Sequence, residues 1–213
     1  KAFLILIRYI MFTGIVQGQG QIKSIAEGKN QRRFVITLPK AMSQNVNIGA
    51  SIAINGTCLT VTSQSDNHFS FDVIGQTLKL TNLGLLQQDD WVNAERSLKY
   101  GDEIGGHVIS GHISSAVVIS HIEHQDQNTS IWFDLPQVHQ KHVLPQGFIS
   151  LNGCSLTVSS VSDSAFCVCL IPETLRTTGF GKAAVGTLVN MEIDHQTQTI
   201  VAAVERVLES QQT

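Results

Sequence analysis

NGTCLTVTSQSD at residues 55–66 returns as NGCSLTVSSVSD at residues 152–163, and this echo makes the chain a duplicated domain. The same offset of 97 residues carries Thr13 onto Ser110 and Ser97 onto Asp194 without a gap. Thr77 and Leu78 fall over Thr174 and Leu175, Gly84 over Gly181, and Val92 and Asn93 over Val189 and Asn190. About two dozen positions are identical, in a unit far longer than the roughly 20–50 residues of a solenoid repeat, so each copy is expected to be a whole domain.

Within each copy the apolar pattern is short and strand-like. Residues 34–38, 51–54, 58–62 and 69–73 are rich in β-branched residues, with Gly or Asn between them. Many strands at roughly 8–12-residue spacing give a sandwich or a closed barrel, and a half of about 90 residues suits a six-stranded one. Asn55-Gly56 and Asn152-Gly153 carry the signal of a tight hairpin turn at the same place in both halves. Near the end, Ile200, Val201, Val204, Val207 and Leu208 recur on a helical period. That stripe either caps its own barrel or pairs with copies in other subunits. The expectation is an all-β protein of two homologous six-stranded antiparallel β-barrels, residues 11–107 and 108–197, followed by a C-terminal α-helix over 198–213. The opening KAFLILIRYI, residues 1–10, precedes a Met11 that reads as a natural start, and is expected to lie outside the fold.

Composition narrows the function. The 213 residues are 42% hydrophobic and 15% charged, a globular balance. A net charge of −3 and a pI of about 6.2, with scattered Lys and Arg, give no footprint for nucleic acid. The apolar run Ala2 to Ile7 is far shorter than the roughly 20 residues of a membrane helix, so a soluble, cytoplasmic protein without a membrane partner is expected. Cys58, Cys154, Cys167 and Cys169 form no CxxC pair and no repeated metal-ligand spacing, and they are too sparse for a disulfide scaffold, which fits a reducing compartment.

The halves differ at polar positions. GGHVISGHI at residues 105–113 holds two histidines five apart, which a strand would point to opposite faces, so they form no joint metal site. Its glycines indicate that something approaches the backbone closely. Of the two histidines His112 is the stronger candidate: it stands over Ile15, as Ser155 stands over Cys58 and Phe148 over Ser51. A shared scaffold with unlike polar groups implies two sites for one kind of ligand that contribute differently to its chemistry. Cys154, Cys167 and Cys169 read as small buried hydrophobes, and Asp134, Asp163 and Glu192 as solvated or capping charges. The Gly-rich GIVQGQGQI opens no helix and makes a poor phosphate loop.

MFTGIV at 11–16, NGTCLTV, TNLG at 81–84, GGHVISGHI, NGCSLTV, IPETL at 171–175 and VNMEID at 189–194 together resemble the riboflavin synthase family, over residues 11 to about 208. The resemblance implies two barrels that each bind one 6,7-dimethyl-8-ribityllumazine, and a C-terminal helix that joins three subunits. It implies an active site between the N-terminal barrel of one subunit and the C-terminal barrel of its neighbour. The implied reaction is a dismutation to riboflavin and 5-amino-6-ribitylaminouracil, the last step of riboflavin biosynthesis, with no metal and no redox cofactor. Ser51, Cys58 and His112 match the family's polar active-site residues in the first half, Ser155, Thr157 and Asp194 those in the second, and Phe12 its N-terminal aromatic. His112 is expected as base or proton shuttle, and Cys58 or a bound water as transient nucleophile. Ligand contacts are expected at Gly14, Ile15 and Val16, at Cys58, Leu59 and Thr60, and at Asp72, Gln76 and Thr77. Further contacts are expected at Gly111, His112 and Ile113, at Gln146, at Ser155, Leu156 and Thr157, and over Ile171, Pro172, Glu173, Thr174, Leu175 and Arg176. Gln76, Gln146 and Asn152 stand where the family commonly carries a charge. The alternative is a non-catalytic lumazine- or flavin-binding relative of the fluorescent antenna kind.

Overall fold

The computed structural model describes residues 11–125 and 128–211, so the expectation for residues 1–10 lies outside the described residues. The first half contains β1 (Gly18–Gly28), β2 (Gln31–Thr37), α1 (Lys40–Ser43), β3 (Ser51–Ile54), β4 (Thr57–Ser65), β5 (His68–Ile74), α2 (Gly75–Leu80) and β6 (Trp91–Arg96). The second repeats it with β7 (Ser115–Gln125), β8 (Asn128–Asp134), β9 (Phe148–Leu151), β10 (Cys154–Val161), β11 (Ala165–Leu170), α3 (Pro172–Thr177) and β12 (Leu188–Ile193), and ends in α4 (His195–Gln211). A 3₁₀ turn, Gln137–His142, stands where the first half has α1.

Each half closes into its own antiparallel barrel, β1-β2-β5-β4-β3-β6 and, in the matching order, β7-β8-β11-β10-β9-β12. Closure removes the sheet edges that short strands would otherwise expose. Alternate residues point inward: Ile22, Phe34, Ile36, Phe69 and Phe71 fill one barrel, and their repeat partners Ile119, Ile131, Phe133, Phe166 and Val168 fill the other. The strands bend at repeated bulges, between Ile22 and Ser24 and again between Ile119 and His121.

The Asn-Gly turns join the barrels as well as closing hairpins. Asn55 and Gly56, like Asn152 and Gly153, both have positive φ, the conformation of the tight turn expected there. Gly56 then lies flat against Gly153, where a Cβ on Gly56 would stand 2.6 Å from the Gly153 nitrogen. Around this contact runs a reciprocal exchange of carboxamides. Asn93 donates Nδ2 to the Asn152 carbonyl at 3.0 Å, and Asn190 donates Nδ2 to the Asn55 carbonyl at 2.9 Å. The Oδ1 of Asn190 accepts the Asn82 N–H at 2.6 Å, and that of Asn93 the Gly179 N–H at 2.8 Å. Asn152 belongs to this network, where its Oδ1 accepts the Asn190 N–H at 2.9 Å.

The helix begins at His195, three residues before the expected 198, because the Asp194 carboxylate accepts from the Thr197 N–H at 2.8 Å and from its hydroxyl at 2.7 Å. Lys141 ties it to the second barrel through Glu205, at 2.6 Å. Ile200, Val204, Val207 and Leu208 are each more than half exposed. No helix among the described residues is long and apolar enough to cross a membrane.

Candidate active site

The segments that lead into each barrel cross to the other one. Phe12 and Ile109, equivalent positions in the two repeats, pair as an isolated antiparallel bridge. Beyond it, the carbonyl of Gly14 accepts the Ser155 N–H of β10 at 2.8 Å, and the carbonyl of Gly111 accepts the Cys58 N–H of β4 at 2.9 Å. Val16 packs on the core of the second barrel. The expected contacts therefore separate into two groups: residues 111–113 with the first barrel, and residues 14–16 with the second.

In the first group, Thr57, Cys58, Gln76, Thr77, Gly111, His112 and Ile113 line one cavity of about 200 Å³. The β3–β4 register sets Ser51 opposite Thr60, one face away from the buried Ile52–Leu59 pair. Burial pushes the half-buried Cys58 thiol up, a hydrogen bond with Ser51 draws it back, and the charge of Glu192 adds to the rise. The thiol is thus neutral near pH 7 unless a base takes its proton. His112 is exposed and lines the same cavity.

In the second group, Nδ1 of His107 lies 2.7 Å from the Ser155 hydroxyl, and its ring stacks on Phe148 at 5.1 Å between centroids and 15° between planes. Phe148 is 52% exposed, and across the β9–β10 ladder it faces Thr157. Desolvation lowers the pKa of His107, and Asp194 partly opposes that shift. Desolvation, the largest single effect on Asp194, raises its pKa, but the Thr197 hydroxyl and amide, the Gln196 amide and His107 together outweigh it and hold the carboxyl low. The sequence favours His112 over His107, and the structure sets each against a different barrel, His112 beside Cys58 and His107 beside Ser155. The 105–113 segment is not a strand, so its two histidines part by going to different barrels.

Other candidates sit differently from their expected places. Glu192, expected as a solvated or capping charge, is 5% exposed and caps the leading segment, its carboxylate accepting from the Ser110 N–H and hydroxyl at 2.7 Å and from the Gly111 N–H at 3.0 Å. Cys169, expected to be buried, faces outward with Sγ 3.4 Å from the Ser130 hydroxyl. Phe12 is 1% exposed and forms a floor with Ala53 and Ile109 under Cys58. Leu59 and Leu156 point into the barrel cores, leaving only their backbone to a ligand. Asp72 is held by Arg33 through two bonds of 2.6 and 2.8 Å on the barrel exterior, and Glu173 by Arg176 at 2.6 Å. Gln146 is exposed in a turn of positive φ beside Val158. No group of three His, Cys, Asp or Glu side chains among the described residues could hold a metal ion.

Twin barrels, each carrying a cluster of polar side chains walled by the other's leading segment, define a duplicated two-barrel protein. The family model described as the lumazine binding domain matches twice, over residues 13–97 and 110–194. The riboflavin synthase of Escherichia coli is 50% identical over 199 residues, 93% of each chain, and that of Bacillus subtilis 35% identical over 187 residues, 86% of this chain and 85% of the other. The solved structure of LumP complexed with riboflavin superposes with a TM-score of 0.80 at 28% identity, covering 85% of this chain and 98% of LumP. LumP complexed with 6,7-dimethyl-8-(1'-D-ribityl) lumazine gives 0.78 at 27% identity over the same shares. The chain belongs to the riboflavin synthase family.

Proposed function

We propose that this chain converts two molecules of 6,7-dimethyl-8-ribityllumazine into riboflavin and 5-amino-6-ribitylaminouracil, by transfer of a four-carbon unit from one lumazine to the other. The observation that carries this reading is the meeting of Cys58 and His112 in one cavity, with Ser51 beside the thiol. The lumazine methyl is acidic and needs a base, and the attacked ring carbon needs a nucleophile and nearby donors. His112 is the base or proton shuttle. Cys58, neutral at rest, or a water held beside it, adds to the ring once His112 has taken the proton.

Two like substrates require two like sites, which accounts for the duplication. Holding two ring systems face to face can supply about 7–11 kcal/mol of the barrier, so the scaffold's main contribution is orientation. The sites hold the same molecule by unlike groups: Ser51, Cys58 and His112 in one, and Phe148, Ser155, Thr157, His107 and Asp194 in the other. The Phe12–Ile109 bridge stands between the two segments that wall them. As the family resemblance implies, we place the reacting pair between the N-terminal barrel of one copy and the C-terminal barrel of another. The exposed apolar stripe of α4 supports a homotrimer joined through that helix. The reaction needs no metal and no redox cofactor, and four free cysteines suit the cytoplasm.

Turnover of the lumazine by the purified chain tests this reading. Retained activity in both His112→Ala and Cys58→Ser contradicts the assigned roles. An antenna function predicts lumazine bound without conversion; the retention of Ser51, Cys58 and His112 around one cavity favours the enzyme.

A further inference from the structure

Each leading segment is clamped by a buried carboxylate of its own repeat. Glu95 on β6 is 3% exposed; its Oε1 accepts the Thr13 N–H at 2.6 Å and the Thr13 hydroxyl at 2.7 Å, and its Oε2 accepts the Gly14 N–H at 3.1 Å. Glu192 on β12 holds Ser110 and Gly111 in the same three-bond pattern. The clamped glycine is in both cases the residue whose own carbonyl docks on the opposite barrel, Gly14 on Ser155 and Gly111 on Cys58. Both glycines have positive φ, and a Cβ on either would lie about 2.5 to 2.6 Å from the Cβ of the residue it docks on. One glycine therefore has its N–H fixed by one barrel and its carbonyl fixed by the other.

We propose that Glu95 and Glu192 are positioning residues that act crosswise: Glu192, in the C-terminal barrel, sets the wall of the Cys58 site, and Glu95, in the N-terminal barrel, sets the wall of the Ser155 site. Neither carboxylate has to touch the ligand. Each takes three donors that would otherwise be orphaned in the interior, so its removal releases the segment at the glycine and moves the wall of the distant site. A carboxylate that only stabilised its own barrel would disturb the site of that barrel, or both sites equally. The walls are assigned to ligand sites by the function proposed above, and the inference deepens that reading.

The test uses the full chain, with Cys58 as a reporter built into the first site. Wild type, Glu95→Gln and Glu192→Gln are alkylated with iodoacetamide, with and without saturating riboflavin, and the modified cysteine is located by peptide mass spectrometry. Glu192→Gln is expected to change the Cys58 rate by about fivefold or more, the scale of one lost net hydrogen bond, and to weaken riboflavin protection, while Glu95→Gln leaves both as in wild type. In a Ser155→Cys background the dependence reverses, and Glu95→Gln moves the new thiol. Cys154 and Cys167, buried in the second barrel, report global loosening and should stay unreactive. Because the charge of Glu192 itself raises the Cys58 thiol, Glu192→Asp, which keeps the charge but shortens the reach, separates positioning from charge and must give the same contrast. An unchanged Cys58 rate in the Glu192 variant, or an equal change in the Glu95 variant, overturns the proposal. Failure of riboflavin to protect wild-type Cys58 counts instead against the ligand reading, and the contrast between variants still decides the crosswise action.

Discussion

The imidazole of His107 and the hydroxyl of Ser155 lie 2.7 Å apart across a sequence separation of 48 residues, and the ring is backed by Phe148. Ser155 fills the second-barrel position that Cys58 fills in the first, so this contact sets an imidazole beside the hydroxyl at that position. His107→Phe keeps the stacking and loses the bond, whereas His107→Asn keeps a polar group near Nδ1. About a tenfold lower kcat/KM is expected for His107→Phe, with partial recovery in His107→Asn, corresponding to the loss of a hydrogen bond worth roughly 1–1.5 kcal/mol. Steady-state kinetics of the two variants checks it.

The same histidine gives a pH signature. Desolvation depresses its pKa in the folded chain below the ordinary 6.5, with Asp194 partly restoring it. The unfolded chain therefore binds the proton more readily. The stabilising contribution is present above the unfolded value and is lost as pH falls through the lower folded value. Urea midpoints of wild type should drop between pH 7.5 and about pH 5 more steeply than those of His107→Asn. Because His139 and His142 are also depressed, the difference between the two curves, and not either curve alone, reports on His107.

Gly56→Ala tests the contact between the barrels. The new Cβ would stand 2.6 Å from one Gly153 backbone atom and 3.0 Å from another, in a residue already at φ +78. Backbone on both sides cannot give way, and a cost of at least about 2 kcal/mol is expected from positive φ and crowding together. Thermal unfolding should show a lower midpoint, with the barrels retaining their circular dichroism below it. Asn190→Ala should act in the same direction, since it leaves the Asn82 N–H and the Asn55 carbonyl without these partners.

Much of this architecture is visible in the sequence because it rests on local signals. Period-two alternation gives the strands, Asn-Gly gives the turns, and the repeat gives the number of barrels. Cys58, Ser51 and His112 were recognisable because they break the symmetry between copies. Glu95 and Glu192 obey that symmetry and so carried no such mark; their burial depends on partners 82 residues away in each case. His107 was harder still, since its importance comes from a serine in another barrel. The glycines around it were the available signal: Gly106 lies against Ser155 and Gly111 against Cys58. The double use of the asparagines, as turn residues and as links between barrels, required both barrels to be in place.

The α4 stripe gives a prediction about assembly. Val204→Glu or Leu208→Glu places a charge on an apolar face that trimer formation would bury, and sedimentation should show the mass falling from three chains to one. Activity should fall with it, as the proposed sharing of the reacting pair between copies requires. Mixing His112→Ala with Ser155→Ala, each inactive alone, should restore part of the activity once subunits exchange. Breaking the half-exposed Lys141–Glu205 pair should cost under about 1 kcal/mol and leave the trimer intact.

Incubating the purified chain with 6,7-dimethyl-8-ribityllumazine and following the absorbance spectrum with time tests the proposed activity directly. Riboflavin should appear steadily, one molecule for every two lumazines consumed and without added metal or redox cofactor. Lumazine that binds, stays fluorescent and is never converted would contradict the account.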